Sequence, residues 1–189
     1  MLTSIFLRLQ PVLKPILLPF ALLYKFCMKL RALAYKHNLI SSVLFSKPCI
    51  SVGNISWGGS GKTPLCLWLL NRAISQGKRP VLISRGYKAH PPILPYAVKQ
   101  EDDPQKSGDE PLMLAKSCPQ ARIIVDPKRL RAGKWALNNL NPDIFILDDA
   151  FQHLKVKRDL DLVLLRAQDL CSDWDQVMPA GSWREGKQA

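Results

Sequence analysis

The sequence predicts an α/β protein whose parallel sheet is flanked by helices, of the kind built around a phosphate-binding loop. Three observations carry this. Short apolar runs alternate with helix-like segments along the second and larger part of the chain. The first of those runs leads into Gly-Gly-Ser-Gly-Lys-Thr and then a helical pattern. The apolar runs are near-continuous rather than alternating, as in strands buried on both faces. Composition agrees, since 189 residues with 47% apolar content suffice for a sizeable core.

Residues 2–24 are largely apolar, but Arg8, Lys14 and prolines at 11, 15 and 19 interrupt them, so no run reaches the ~20 uncharged residues of a membrane span. A small-residue cleavage site of the secretory kind is also missing. From residue 19 to about 38 the pattern is helical. Lys25, Lys29 and Lys36 fall within about 40° of one another around the axis. Leu22, Phe26, Leu30 and Leu33, widened by Leu23 and Ala34, form a neighbouring apolar stripe. A basic amphipathic helix of this kind suits the plane of an anionic membrane surface. The competing expectation is a helix packed on the protein's own core. The segment lacks the interleaved aromatics and polar base-reading side chains of a nucleic-acid-binding surface.

Charge supports an anionic partner. The net charge is +12, yet residues 1–100 hold fourteen Lys/Arg and no acid, while residues 101–189 hold thirteen Lys/Arg and all fifteen acids. The first part is therefore about +14 and the second about −2. The five cysteines (27, 49, 66, 118, 171) are odd in number and contain no C-x-x-C, which excludes a disulfide framework or zinc-finger spacing and points to a reducing compartment. Residues 1–44 are thus expected to be a membrane-associating segment and residues 45–189 a P-loop domain.

Residues 48–52 read as the first strand. Ser56-Trp57-Gly58-Gly59-Ser60-Gly61-Lys62-Thr63 then matches G-x-x-x-x-G-K-[ST] except that Ser56 stands at the first Gly. Asn54 and Ile55 lead into this loop. Glycines let backbone N–H groups turn toward phosphate oxygens, and the following helix N-terminus adds donors. Lys62 would reach the β/γ-phosphates of a nucleoside triphosphate, and the Thr63 hydroxyl would ligate Mg²⁺. The loop helix is expected over 64–76, stopped by Gly77.

Residues 80–84 read as a buried strand ending in Arg85-Gly86-Tyr87. Residues 88–107, with four prolines and an acidic run, read as a long exposed loop. A helix follows over 110–116, a strand over 122–125, a helix over 127–138, and strands over 143–147 and 160–165. Ligands in such sheets sit beyond the carboxyl ends of the strands, where Arg85 and Tyr87 and the pair Asp148-Asp149 fall. Asp148-Asp149 after an apolar strand has the form of a Walker B element, supplying at least one acid to Mg²⁺. Gln152 and His153 lie just beyond it. Asp109-Glu110 opens a helix, where the acids act as caps or as catalytic groups.

Taken together, these residues resemble the tetraacyldisaccharide 4′-kinase family of lipid A biosynthesis. The matching pieces are Gly53-Asn54-Ile55 through Gly59-Ser60-Gly61-Lys62-Thr63-Pro64, Ser84-Arg85-Gly86-Tyr87, Gly108-Asp109-Glu110-Pro111, Val125-Asp126-Pro127, Leu147-Asp148-Asp149-Ala150-Phe151-Gln152-His153, Arg158-Asp159, Pro179-Ala180-Gly181 and Arg184-Glu185. The resemblance implies ATP- and Mg²⁺-dependent phosphorylation of the 4′-hydroxyl of a lipid-linked tetraacyl glucosamine disaccharide 1-phosphate, at the cytoplasmic face of the bacterial inner membrane. It implies that Asp109 accepts the hydroxyl proton, with Asp149 and His153 as further catalytic candidates. It also implies that Thr63, Glu110, Asp148 or Asp149, and Gln152 surround Mg²⁺, that residues 54–63 hold ATP, and that Arg85 and Tyr87 face the substrate. Lys88 and Ala150 stand where the family usually has Gly. Family members continue past Arg184-Glu185 into a second α/β lobe, so the chain is expected to correspond to the N-terminal portion, truncated at its C-terminus. The alternatives are a membrane-positioning ATPase of the ParA/MinD kind, whose second loop lysine is replaced here by Trp57, and a non-catalytic ATP-binding fragment.

Overall fold

The computed structural model describes residues 2–56, 60–171 and 174–187, with side chains from Leu13 onward except that of Gln168. In chain order the elements are α1 (Leu2–Lys36), β1 (Cys49–Asn54), α2 (Lys62–Ser75), β2 (Pro80–Ser84), β3 (Tyr96–Ala97), α3 (Pro104–Ser107), α4 (Asp109–Ser117), β4 (Arg122–Val125), α5 (Arg129–Asn139), β5 (Ile144–Asp148), β6 (Leu160–Leu164) and α6 (Ala167–Leu170). The six strands form one sheet in the order β3-β4-β2-β5-β1-β6. Strands β1, β5, β2 and β4 run parallel, and β3 pairs antiparallel with β4 at the edge. The chain divides into two compact units, one of residues 42–53 and 61–164, the other of residues 1–41, 54–60 and 165–189.

The first unit contains the sheet. Successive strand residues point to opposite faces, and the two faces have separate cores. Val81, Ile83, Phe145 and Leu147 pack with Phe45, Val156 and the α5 residues Ala132 and Ala136. Val52, Leu82, Ile123 and Ile146 pack with Cys66 and Leu70 of α2 and with Leu114 and Ala115 of α4. Helices therefore cover both sides, which explains why β2 is buried along its whole length. Gly61 opens α2 at φ 80°, a left-handed conformation that glycine adopts without strain. All five cysteines are free thiols, and burial pushes the Cys49 thiol up to about 12.

Several expectations need correction. The segment 88–107 is not structureless: Tyr96-Ala97 pairs as β3, and Asp103 caps α3 by accepting from the Gln105 N–H. Asp109 is the first residue of α4 rather than its cap, a position taken by Gly108. The N-terminal helix starts at Leu2, not near residue 19. Its prolines at 11, 15 and 19 are four residues apart, so the hydrogen bonds they cannot make lie along one seam and the rest of each turn stays intact.

In the second unit, Leu17, Ala21 and Tyr24 of α1 pack with Ile55, Val177, Ala180 and Trp183. The Tyr24 hydroxyl donates to the Arg184 carbonyl at 2.7 Å, and Lys25 pairs with Asp175. The stripe read from the sequence lies elsewhere on the helix: Leu22, Phe26, Leu30 and Leu33 are 38–58% exposed. Among the described residues, no helix is long and apolar enough to cross a membrane.

Candidate functional site

The sheet unit brings together five of the residues singled out above. Asp148 is the last residue of β5 and Asp149 the first beyond it. Asp149 adopts φ 46°, a left-handed turn at the point where β5 ends. Its Oδ1 lies 3.5 Å from Nζ of Lys62, in the first turn of α2. The next residue, Thr63, donates its hydroxyl to Glu110 Oε2 at 3.1 Å. Two helix starts and one strand end therefore present a lysine, a hydroxyl and three carboxylates.

Asp148 is nearly fully buried. It accepts from the Ser84 hydroxyl at 3.1 Å and from the Cys66 thiol at 3.9 Å. Burial raises its carboxyl above the usual range, and the nearby Asp149 and Glu110 push the same way. Hydrogen bonding to Ser84 and the charge of Arg129 oppose this. The same low-dielectric setting drives the Cys66 thiol upward, so it stays protonated. Arg129 is 1% exposed and donates Nη2–H to the Asp148 carbonyl at 2.9 Å and Nη1–H to the Asp126 carbonyl at 3.3 Å. It holds the backbone at the point where β5 ends and the left-handed turn begins.

The remaining predicted residues lie elsewhere in the sheet unit, in the other unit, or outside what is described. Asp109 and Glu110 are both exposed in the first turn of α4. Arg85 and Tyr87 follow β2; Tyr87 is 78% exposed, with the Lys88 ammonium 5.5 Å from its ring centre. Lys88 itself sits at φ 58°, which accounts for the preference for Gly that the resemblance implies there. Gln152 and His153 are half-buried in the turn after β5. The His153 backbone is fixed by its N–H to Ala150 and by its carbonyl accepting from Arg158.

In the other unit, Asn54 and Ser56 are fully buried and Ile55 nearly so. The Asn54 amide donates to the Ser56 carbonyl at 2.7 Å, and the Ser56 hydroxyl donates to Asp169 Oδ2 at 2.8 Å. Trp57, Gly58 and Gly59 lie outside the described residues.

Sequence reasoning missed Ser84, Arg129 and Asp169. Ser84 was visible only as a neighbour of Arg85. An arginine opening a helix after Val125-Asp126-Pro127 carries no local sign that it is buried. Asp169 lies 113 residues from its Ser56 partner, with no motif around it.

The donors fit Mg²⁺, a hard cation that takes oxygen ligands and keeps several waters and phosphate oxygens in its shell. Thr63 and Glu110 are already within hydrogen-bond distance. Among the described residues there is no group of three or more His, Cys, Asp or Glu able to hold a metal alone, and a phosphate-bridging Mg²⁺ does not need one.

Comparison with known proteins agrees with this geometry. Residues 13–189 match the family model described as tetraacyldisaccharide-1-P 4′-kinase, LpxK. The tetraacyldisaccharide 4′-kinase of Oleidesulfovibrio alaskensis is 51% identical over 183 residues, covering 97% of this chain and 51% of that protein. The corresponding protein of Aquifex aeolicus is 37% identical over 177 residues, 92% of this chain and 55% of its own length. A crystal structure described as the "apo" form of LpxK from Aquifex aeolicus in complex with ATP superposes with a TM-score of 0.79, covering 94% of this chain and 54% of that one. The chain thus spans about half the length of these relatives. Matched over nearly all its residues by the family model, and carrying the loop lysine, threonine and acids in one fold, the chain belongs to the tetraacyldisaccharide 4′-kinase (LpxK) family.

Proposed function

We propose that this chain is the nucleotide-binding part of a lipid kinase. In this reading the kinase transfers the γ-phosphate of ATP to the 4′-hydroxyl of a tetraacyl glucosamine disaccharide 1-phosphate. The observation that carries the reading is the meeting of Lys62, Thr63, Glu110 and Asp149 through two contacts, Lys62–Asp149 and Thr63–Glu110, beside buried Asp148. Residues 54–63 hold the triphosphate through backbone N–H groups, and Lys62 neutralises the β/γ-oxygens. Its ion pair with Asp149 keeps the lysine near that position before nucleotide arrives. Thr63, Glu110, Asp148 and Gln152 are the candidate Mg²⁺ ligands; an ion held there would help offset the charge that develops on the phosphoryl group. Asp109 is exposed at the edge of the cluster, where a substrate hydroxyl can reach it, and is the candidate base; Asp149 and His153 are the next. Arg85 and Tyr87 are candidate substrate contacts.

Residues 1–44 form the membrane-associating segment of this proposal and residues 45–189 the kinase domain. The exposed band of Leu22, Phe26, Leu30 and Leu33, with Phe20 and Leu23 also more than half exposed, supports peripheral attachment to an anionic bilayer surface. An acylated substrate is reached there, on the cytoplasmic face of the inner membrane.

Calorimetric titration tests the nucleotide reading. Lys62→Ala is expected to weaken MgATP binding about 10- to 100-fold, the range of a lost charge-assisted hydrogen bond. Thr63→Ala is expected to lose chiefly the increment that Mg²⁺ adds. Unchanged affinity in Lys62→Ala would overturn the assignment.

A further inference from the structure

Ser56 occupies the loop position where a glycine is expected, and the structure shows what the serine does there. Its φ is not positive, so the backbone does not require glycine. Its side chain is fully buried and its hydroxyl donates to Asp169 Oδ2 at 2.8 Å. Asp169, in α6, is also fully buried. Its carboxylate accepts from the Arg166 backbone N–H at 2.7 Å and from Arg166 Nη2 at 3.0 Å. Burial alone would raise this carboxyl, but the Arg166 and Ser56 hydrogen bonds bring it below the usual range, so it is ionised and a strong acceptor. Arg166 by itself would compensate the charge. The Ser56 hydroxyl is the additional contact, and it reaches across 113 residues to the loop. The main chain on either side of this contact is also tied down. Ser56 bridges antiparallel to Trp183, and the Ile55 carbonyl accepts from the Arg184 N–H at 2.6 Å.

We infer that Asp169 is a positioning residue for nucleotide binding. Through the Ser56 hydroxyl it fixes residues 54–56, the entry of the loop proposed above to hold a nucleoside triphosphate. A glycine at position 56 would keep the backbone contacts to Trp183 and Arg184 but lose the side-chain tie to Asp169, and the extra ordering needed would then count against binding. The inference rests on the nucleotide reading above.

The test is calorimetric titration of the 189-residue chain with MgATP, with melting temperature recorded for every variant. Ser56→Ala and Asp169→Asn are each expected to weaken ATP binding about 5- to 20-fold, a part of the roughly 10- to 100-fold that a hydrogen bond to a charged group contributes, because this contact acts on the loop rather than on the nucleotide. Because they break one contact, the double variant is expected to bind within about twofold of the weaker single variant. Ser56→Thr, which keeps the hydroxyl, is expected to restore binding. A purely structural role would lower the melting temperature without this coupled pattern in affinity. Ser56→Ala changes a single oxygen, so it keeps the test open if Asp169→Asn does not fold. ATP affinity unchanged in Ser56→Ala, or fully additive losses in the double variant, overturns the inference. Lys62→Ala separates this failure from the failure of the reading beneath it. If Lys62→Ala abolishes binding while Ser56→Ala does not, only the role of Asp169 falls; if Lys62→Ala also binds normally, both fall.

Discussion

Gly53→Ala places a methyl group where the end of β1 passes closest to the turn after β5. An ideal Cβ at Gly53 would lie 2.6 Å from Phe151 Cβ, 3.0 Å from its backbone N and 3.3 Å from its Cα. Carbon atoms prefer about 3.5–4.0 Å, so the overlap with Phe151 Cβ is close to 1 Å. No rotamer relieves it, because all three atoms are backbone or Cβ. Gly53 does not have a positive φ, so alanine fits the local conformation and would by itself stabilise the fold by ~0.4–1 kcal/mol through the unfolded chain. Overpacking costs ~1–3 kcal/mol and opposes this, so a net loss of about 1–2 kcal/mol is expected. The strain falls on the turn that contains Asp149, where the Ala150 N–H to Val52 carbonyl bond is already long at 3.4 Å. ATP affinity should therefore fall along with stability. Urea unfolding monitored by tryptophan fluorescence measures the first, and calorimetry the second. Gly77→Ala is the companion variant: Gly77 has φ 69° and nothing within 4 Å, so it should cost about 1–2 kcal/mol from backbone strain alone and leave ATP affinity unchanged. A Gly53→Ala protein as stable as the parent would refute the close-approach argument.

Deleting residues 1–40 should release the chain from anionic vesicles in a sedimentation assay; equal sedimentation of both chains would remove the membrane role from α1. Asp109→Asn, made in a relative of full family length and assayed for phosphorylation, should reduce turnover by ~10²–10⁴-fold if Asp109 is the base, with ATP affinity little changed; near-normal turnover would move the search to Asp149 or His153. Arg79 donates Nε–H and Nη2–H to Asp143 at 2.9 and 3.1 Å and holds that carboxyl well below the usual range, mainly by these side-chain hydrogen bonds. A depressed folded-state pKa contributes stability above the unfolded-state value and loses it as pH falls toward the folded one. The stability gap between the parent and Asp143→Asn should therefore be constant near neutrality and close below about pH 4; a gap independent of pH down to acid unfolding would contradict this.

The parts of the fold that were legible are those with a local cause. The strands β2 and β4 occupy 80–84 and 122–125 as read, because a strand buried on both faces must be apolar at every position. Helix α2 ends where Gly77 allowed it to. The two-residue strand β3 exists because β4 offers an open edge, and nothing within Tyr96-Ala97 requires that pairing. In α1 the sequence shows which residues are apolar but not which side the protein uses. The buried face is Leu17, Ala21 and Tyr24, chosen by the distant Trp183, whereas the stronger stripe is left exposed. The site divides in the same way. The positions of Lys62, Thr63 and Asp148-Asp149 are legible because each pattern is local: a Gly-Lys-Thr run opening a helix and two acids at the end of an apolar strand. Ser84 and Arg129 are not, because each acts through a hydrogen bond to Asp148 that exists only once β2, α5 and β5 lie together.

The charge asymmetry of the sequence also reads differently once the chain is folded. The first hundred residues have no acid of their own, so every carboxylate that pairs with one of their cations comes from the later part of the chain. Lys62 takes Asp149, Arg79 takes Asp143 and Lys25 takes Asp175. Of the three lysines that share a helix face, Lys25 is thus neutralised internally, while Lys29 and Lys36 are exposed, with no ion pair to a described residue. Lipid attraction contributes roughly 1 kcal/mol per nearby cation and is screened within a Debye length. Under the proposed attachment, two such lysines on α1 would make a modest electrostatic share beside an apolar band that includes Leu22, Phe26, Leu30 and Leu33. Vesicle binding should therefore weaken with added salt but persist. Lys25→Gln should leave its salt dependence unchanged while lowering the melting temperature through loss of the Asp175 pair, and Lys29→Gln with Lys36→Gln should flatten that dependence. If Lys25→Gln flattened it instead, Lys25 would not be neutralised by its ion pair with Asp175.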